Sequence, residues 1–165
     1  MRSVLLSWLL LWVSVGIATS VSANTDRVLV NRTLDALHHN ASVANFESYF
    51  SLYHESAIFI GTDASEVWDK ETFKAYAKPH FDKGTGWTYH PRDRHVYFSP
   101  ERNTAWFDEL LDNNNLGETR GTGVLIKVGD DWKLTQYHLA IPIPNSLADS
   151  VAEQIKTSNN EKAPL

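Results

Sequence analysis

Two adjacent acids, an arginine and a histidine are the residues of this sequence best suited to chemistry. Asp108 and Glu109 could each serve as a general base, and His138 could exchange a proton near neutral pH. Arg120 could hold a carboxylate ligand through its planar guanidinium group, or pair with one of the two acids. Neighbours in a strand point to opposite faces of the sheet. The sequence therefore predicts one acid in a pocket and one outside it, and leaves open which is which.

Each of these residues also has a structural interpretation. His138 could orient a ligand without exchanging a proton, and either acid could form a surface salt bridge. An acid surrounded by Trp68, Trp87 or Trp106 would instead have its pKa raised by desolvation, which suits a general base. Aromatic side chains are mostly core, but some can line an apolar cavity. The candidate ligand-binding residues are Trp68, Tyr89, Trp106, Arg120, Thr122 and Gln136.

Residues 120–145 are expected to form the hairpin that positions several of these side chains. A three-residue turn at 129–131 is the preferred register, whereas a two-residue turn would pair Ile126 with Lys133. The pairs expected from the preferred register are Val128 with Trp132 and Ile126 with Leu134. One face of this hairpin would then be apolar near the turn and polar at its far end. Its polar end would carry Arg120, Thr122, Gln136 and His138.

The sequence contains none of the common motifs for a metal, a nucleotide or a serine nucleophile. There is no cysteine, no HExxH, no GxSxG and no glycine-rich phosphate loop. His38 and His39 are neighbours on a predicted helix and diverge, while His90 and His95 point to opposite faces unless Pro91 introduces a bulge. We therefore expect no metal site and no cofactor.

The first 23 residues have the pattern of a secretory signal peptide. A positive start at Arg2 precedes an apolar run over 4–17, and small residues end at Ala23. We expect an exported protein, periplasmic or extracellular, with no membrane segment after cleavage. Removing Arg2 changes the net charge from −5 to −6, and no basic run is present, so nucleic acid is not an expected partner.

The rest of the chain predicts a single α+β domain over 24–145, followed by a short helix and a polar tail over 146–165. Hydrophobic spacing indicates helices at 25–39, 43–53 and 69–83, with a strand at 54–60 between the second and third. Asp69 is the expected N-cap of the third helix, and Pro79 predicts a kink or an early end. Strands follow at 87–98 and 103–111, then the hairpin. Pro91 implies a bulge or an edge position.

Four segments of the predicted sheet resemble the SnoaL-like domain, a member of the nuclear transport factor 2-like superfamily, also called cystatin-like or ketosteroid-isomerase-like. They are AWFDE (105–109), RGTGVL (120–125), Trp132-Lys133 and QYHLAIPIPN (136–145). The resemblance covers about 28–145. It implies a strongly curved antiparallel sheet wrapped against three N-terminal helices, a conical half-barrel with an open pocket, and frequent homodimers.

The resemblance leaves the activity open. Ketosteroid isomerases carry a catalytic aspartate at the end of the first strand, and that position falls on Gly61 here. The leading hypothesis is a domain that binds a small hydrophobic or carboxylate-bearing molecule. The second is a proton-transfer enzyme (isomerase, cyclase or dehydratase) using Asp108 or Glu109 with His138. The third is a dimeric interaction module with a vestigial cavity, because fold alone does not fix function.

Overall fold

The computed structural model of the chain describes residues 24–162, so the predicted signal peptide lies outside the described residues. Helix α1 covers 24–42, and Asn45 caps the N-terminus of the next helix. The remaining elements are α2 (Phe46–Ser51), β1 (Tyr53–Ile60), β2 (Val67–Asp69), α3 (Lys70–Phe81), β3 (His90–Phe98), β4 (Thr104–Asn113), β5 (Gly117–Val128), β6 (Asp131–Ala140), a 3-10 turn (Asn145–Leu147) and α4 (Ala148–Lys162). The order of helices and strands confirms the α+β prediction. No helix among the described residues combines the length and apolar character of a membrane span.

The six strands form one open sheet in the order β2-β1-β6-β5-β4-β3. Strands β1 and β6 are parallel, and every other neighbouring pair is antiparallel. The sheet is therefore mixed, and it is neither closed nor strongly curled, which corrects the predicted antiparallel half-barrel. The sequence prediction also missed β2, because three residues are too few to show a strand pattern.

Two local predictions are confirmed at the ends of elements. Asp69 caps α3, because its Oδ1 accepts a hydrogen bond from the Thr72 amide at 2.7 Å. This helix runs through Pro79 and ends at Phe81. Pro91 lies in β3, an edge strand whose pairing with β4 shifts between Arg92 and His95. An edge position accommodates a proline because its missing N–H would have no strand to bond.

The β5–β6 hairpin departs from the predicted register near its turn. The turn has two residues, so Val128 pairs with Asp131 and Ile126 with Lys133. A bulge at Thr135 then adds one residue to β6, and beyond it Thr122 pairs with His138, as the three-residue register requires. Because side chains alternate along a strand, the bulge places Trp132 and Leu134 on the face opposite His138. The prediction of one shared face is wrong.

Helices α1, α2 and α3 cover one face of the sheet, which we call the inner face. Every second residue of β4 and β5 is buried there, while the intervening residues on the outer face remain partly exposed. Ion pairs add to this apolar contact: Asp26 of α1 is buried and accepts hydrogen bonds from Lys127 at 2.8 Å and Arg102 at 3.2 Å. The core contains Val30, Leu34, Tyr49, Phe50, Phe73, Ala105, Phe107, Leu111, Leu125, Trp132 and Leu134.

Candidate functional site

An aromatic cavity of about 270 Å³ lies between β1, β2, α3 and the segment 87–89. Roughly half of Tyr76 and of Leu116 is exposed, so solvent reaches the cavity at these residues. Its volume is slightly below the ~300 Å³ at which pockets for drug-sized ligands begin. The lining residues, to which the name aromatic cavity refers, are Phe59, Gly61, Thr62, Glu66, Trp68, Phe73, Tyr76, Trp87, Tyr89, Leu116 and Leu139.

The ring arrangement of the aromatic cavity is set by packing between α3 and the sheet. Phe73 stacks on Phe59 with ring centroids 3.9 Å apart and an interplanar angle of 15°. Trp68 lies 4.6 Å from Tyr76, and Trp87 is stacked 5.9 Å from Phe73. Such contacts fix ring positions, because Phe59, Trp68, Phe73, Tyr76 and Trp87 each contact at least one other of these rings. The cavity wall is therefore formed by rings that support one another.

Glu66 supplies the carboxylate of the aromatic cavity. The turn that follows β1 is closed by backbone hydrogen bonds, including one from the Gly61 amide to the Glu66 carbonyl at 2.9 Å. The Glu66 carboxylate folds back over Gly61 and accepts a hydrogen bond from the Asp63 amide at 3.3 Å. A Cβ at position 61 would collide with Glu66 Oε2. The absence of a side chain at Gly61 therefore leaves room for the carboxylate of Glu66, which follows five positions later in the chain.

A second polar group lies deeper, where α1 meets β3 and β4. Glu109 is fully buried, and its Oε1 lies 2.6 Å from His38 Nε2. Its Oε2 accepts a hydrogen bond from Arg94 Nε at 2.6 Å, and the same guanidinium group binds Asp35 through Nη1 at 2.7 Å. Charge-assisted bonds of this length are strong, and they satisfy a carboxylate that could not otherwise be buried.

A small void of about 20 Å³ lies between the buried histidine and the aromatic cavity. His38, Tyr49 and Tyr137 line it, together with Trp87 and Tyr89, which also line the aromatic cavity. Its volume suffices for about one water molecule. Burial, together with the nearby negative charge of Glu109, raises the pKa of Tyr137. The Tyr137 hydroxyl therefore stays protonated at neutral pH and can donate a hydrogen bond.

The residues predicted for the site divide between the two faces of the sheet. Trp68 and Tyr89 line the aromatic cavity, and Glu109 is the acid that points to the inner face. Asp108 points to the outer face, where its Oδ1 lies 3.2 Å from His95 Nδ1. The other predicted residues also lie on the outer face, and none of them lines the aromatic cavity. They are Trp106, Arg120, Thr122, Gln136 and His138.

Three residues that the sequence analysis did not select contribute to these sites. His38 and Arg94 lie 71 and 15 positions from Glu109, so no local spacing could connect them. Glu66 is separated from Gly61 by a turn, and its identity as a cavity acid depends on how that turn folds. The available signal was Gly61, the position at which the resemblance to ketosteroid isomerases leads one to expect an acid.

Outside these two sites, the described residues form a further depression and no metal-binding cluster. A more polar depression of about 510 Å³ adjoins the aromatic cavity and is lined by residues 86–89 and 113–116. No group of three or more histidine or acidic side chains in the described range is placed to hold a metal ion. The chemistry of the inner face therefore depends on Glu66, His38, Glu109 and the tyrosines.

The sequence of the chain matches the model of a known protein family. The family model described as "SnoaL-like domain" matches residues 30–144. No curated protein sequence matches the chain. The match covers β1–β6 and almost all of the described helices that pack on the inner face.

Several solved structures share the fold at low sequence identity. A proposed dehydratase of the NTF2-like family from Streptomyces avermitilis is 15% identical, with a TM-score of 0.62, over 73% of this chain and 99% of that one. A proposed scytalone dehydratase from Novosphingobium aromaticivorans is 13% identical, with a TM-score of 0.59, over 73% and 89%. An NTF2-like protein of unknown function from Pseudomonas putida KT2440 is 10% identical, with a TM-score of 0.59, over 70% and 86%. At these identities the likeness establishes the fold alone.

Proposed function

Because the chain belongs to the SnoaL-like domain family, whose fold is compatible with many activities, we propose from its own residues that it binds a small, largely apolar molecule in the aromatic cavity. The observation that carries this proposal is a 270 Å³ space lined by six aromatic side chains and reached from solvent beside Tyr76 and Leu116. Concave, mostly apolar sites with a few polar groups are typical of small-molecule binding.

The lining chemistry favours an apolar ligand over the carboxylate-bearing one that Arg120 suggested. Arg120 lies on the outer face, and no lysine or arginine is among the described residues of the aromatic cavity. An anionic group there would meet the Glu66 carboxylate with no cation to offset the repulsion. The ligand-binding residues of this proposal are Trp68, Tyr89 and Trp87, with Leu139 at the back.

Calorimetric titration with a set of small apolar and aromatic alcohols tests this proposal. Leu116→Trp narrows the cavity and is expected to weaken binding of the best compound at least tenfold, which corresponds to about 1.4 kcal/mol. Val128→Trp is the matched control, because Val128 is equally exposed but lies at the other end of β5. Failure of every compound to bind, or equal binding by the two variants, would contradict the proposal. Either result would instead favour the third hypothesis, a dimeric interaction module with a vestigial cavity.

A second candidate function, proton-transfer catalysis, is supported by the His38–Glu109 pair. A carboxylate that orients a histidine is a common arrangement for a general base. Trp87 and Tyr89 belong to the walls of both the aromatic cavity and the void beside His38, so a bound molecule would lie next to that void. Two of the similar folds are proposed dehydratases. In this candidate His38 replaces the outward-facing His138 as the base, and Glu109 positions it.

Mass spectrometry of compounds that bind the protein tests the enzymatic candidate. A dehydratase gives a product lighter by one water, and His38→Gln is expected to abolish its formation while binding persists. His95→Gln is the control, because His95 pairs with an acid on the outer face. Unchanged turnover in His38→Gln would exclude His38 as the base.

Export and self-association also remain part of the proposal. The signal-peptide pattern of residues 1–23 supports an exported protein, and N-terminal sequencing of the secreted chain would give Asn24 first if cleavage follows Ala23. Tyr97 and Trp106 stack on each other on the outer face and are about half exposed, which supports a homodimer through that face. A monomer by analytical ultracentrifugation would contradict the dimer.

A further inference from the structure

We propose that the aromatic cavity selects a compact organic cation, such as a quaternary ammonium group, rather than a neutral molecule. This inference rests on the proposed binding function and names the class of ligand. The aromatic cavity combines the two features that stabilise a cation without a metal: aromatic rings and one carboxylate. Aromatic rings carry negative charge on their faces, and they attract a desolvated cation within about 6 Å of the ring centroid by roughly 0.5–2 kcal/mol each.

Four of the rings belong to tryptophan and tyrosine, the side chains whose faces attract cations most strongly. Trp68 and Tyr76 contact each other at a centroid separation of 4.6 Å, and Trp87 and Tyr89 line the same space from the segment before β3. Burial raises the pKa of Tyr89, so its ring stays a neutral phenol at physiological pH. The cavity therefore presents several neutral, electron-rich rings to one small volume.

Glu66 is held in a position where its charge acts on that volume. Its carboxylate lies over Gly61 in the cavity wall, and the hydrogen bond from the Asp63 amide orients it. Glu66 takes part in none of the described salt bridges, in contrast to Glu71, which pairs with Lys74, and Glu55, which pairs with Lys70. A carboxylate beside aromatic rings with no cationic partner is suited to a ligand that brings the positive charge.

Binding of three compounds of nearly equal shape tests this inference by calorimetry. The compounds are choline, the neutral alcohol in which carbon replaces the choline nitrogen (3,3-dimethylbutan-1-ol), and the carboxylate 3,3-dimethylbutanoate (tert-butylacetate). The expected result is that choline binds about tenfold more tightly than the alcohol, and that the carboxylate binds most weakly. Glu66→Gln should lower choline affinity several-fold and leave the alcohol unchanged. Glu71→Gln, which removes an exposed acid outside the cavity, should change neither.

The outcomes separate this inference from the proposal beneath it. Equal affinity for choline and the alcohol, or loss of both in Glu66→Gln, overturns the cation inference while the aromatic cavity stands as a ligand site. Tightest binding by tert-butylacetate also overturns it. Failure of all three compounds to bind at millimolar concentration contradicts the cation inference, and failure of the apolar set as well contradicts the binding function.

Discussion

Glu109 Oε1 lies 2.6 Å from His38 Nε2, and this contact joins the inner face of β4 to the C-terminal part of α1. The second oxygen of the same carboxylate is bound by Arg94 of β3. One buried acid thereby ties α1 to two strands. Of this cluster, His38 lines the small void, so one residue both joins α1 to the sheet and lies next to the candidate site.

Glu109→Gln is expected to destabilise the protein by about 3–5 kcal/mol, because it removes the buried partner of Arg94 and leaves this buried guanidinium group with only the exposed Asp35 as an ion-pair partner. Asp108→Asn is the matched control. Asp108 is the neighbouring acid on the outer face, partly exposed, and its replacement should change stability by no more than about 0.5 kcal/mol. Urea unfolding at neutral pH measures both. Equal losses in the two variants would show that the buried network adds no specific stability.

The stability of the protein should fall in acid partly because of Asp26. Burial alone would raise the pKa of this carboxyl, but hydrogen bonds from Lys127 and Arg102 outweigh it, so the pKa lies below its usual value. A lowered pKa in the folded state adds stability above the unfolded pKa of about 3.9, and that stability disappears as pH falls through the folded pKa.

Asp26→Asn tests this dependence. The variant should be less stable than the native protein by about 1–3 kcal/mol at pH 7, and the difference should shrink below about pH 4. Asp149→Asn makes the same charge change at an exposed residue of α4 and should have little effect. Thermal unfolding followed from pH 7 to pH 3 measures the difference. A difference that stays constant over this range would exclude Asp26 as its source.

The contact between Gly61 and Glu66 predicts a coupled pair of substitutions. Gly61→Ala places a methyl group against the Glu66 side chain and should cost about 1–3 kcal/mol through overpacking. Glu66→Ala removes Oε2 and Cδ, the carboxylate atoms that obstruct this position, and keeps only the Cβ at 2.9 Å, so Gly61→Ala should cost less in that background. Chemical unfolding of the two single variants and the double variant gives the coupling energy. The same cost in both backgrounds would mean that Glu66 does not occupy this space.

The sequence predicted the elements better than it predicted which way their side chains face. The Asp69 cap of α3 and the proline in β3 were predictable, because each depends on a few neighbouring residues. The hairpin faces were not, because a bulge at Thr135 joins the two registers that the turn chemistry had left as alternatives. His138 therefore shares a face with Arg120 and Thr122, as expected, but that face is the outer one.

The residues of the candidate site were likewise predictable only in part. Trp68 and Tyr89 could be selected as lining residues because large aromatic side chains are the usual walls of an apolar pocket. The pairing of His38 with Glu109 depends on how α1 crosses the sheet, and the reach of Glu66 over Gly61 depends on a turn. Both are properties of the folded backbone that no spacing in the sequence encodes.

The most direct test of the aromatic cavity as a ligand site is the anomalous signal of a small bromine-containing aromatic alcohol soaked into crystals. The result predicted here is a bromine peak between Trp68, Trp87 and Leu139, which line the cavity. Leu116→Trp crystals should lose that peak. A peak beside Trp106 on the outer face, or no peak at any site, would contradict the account.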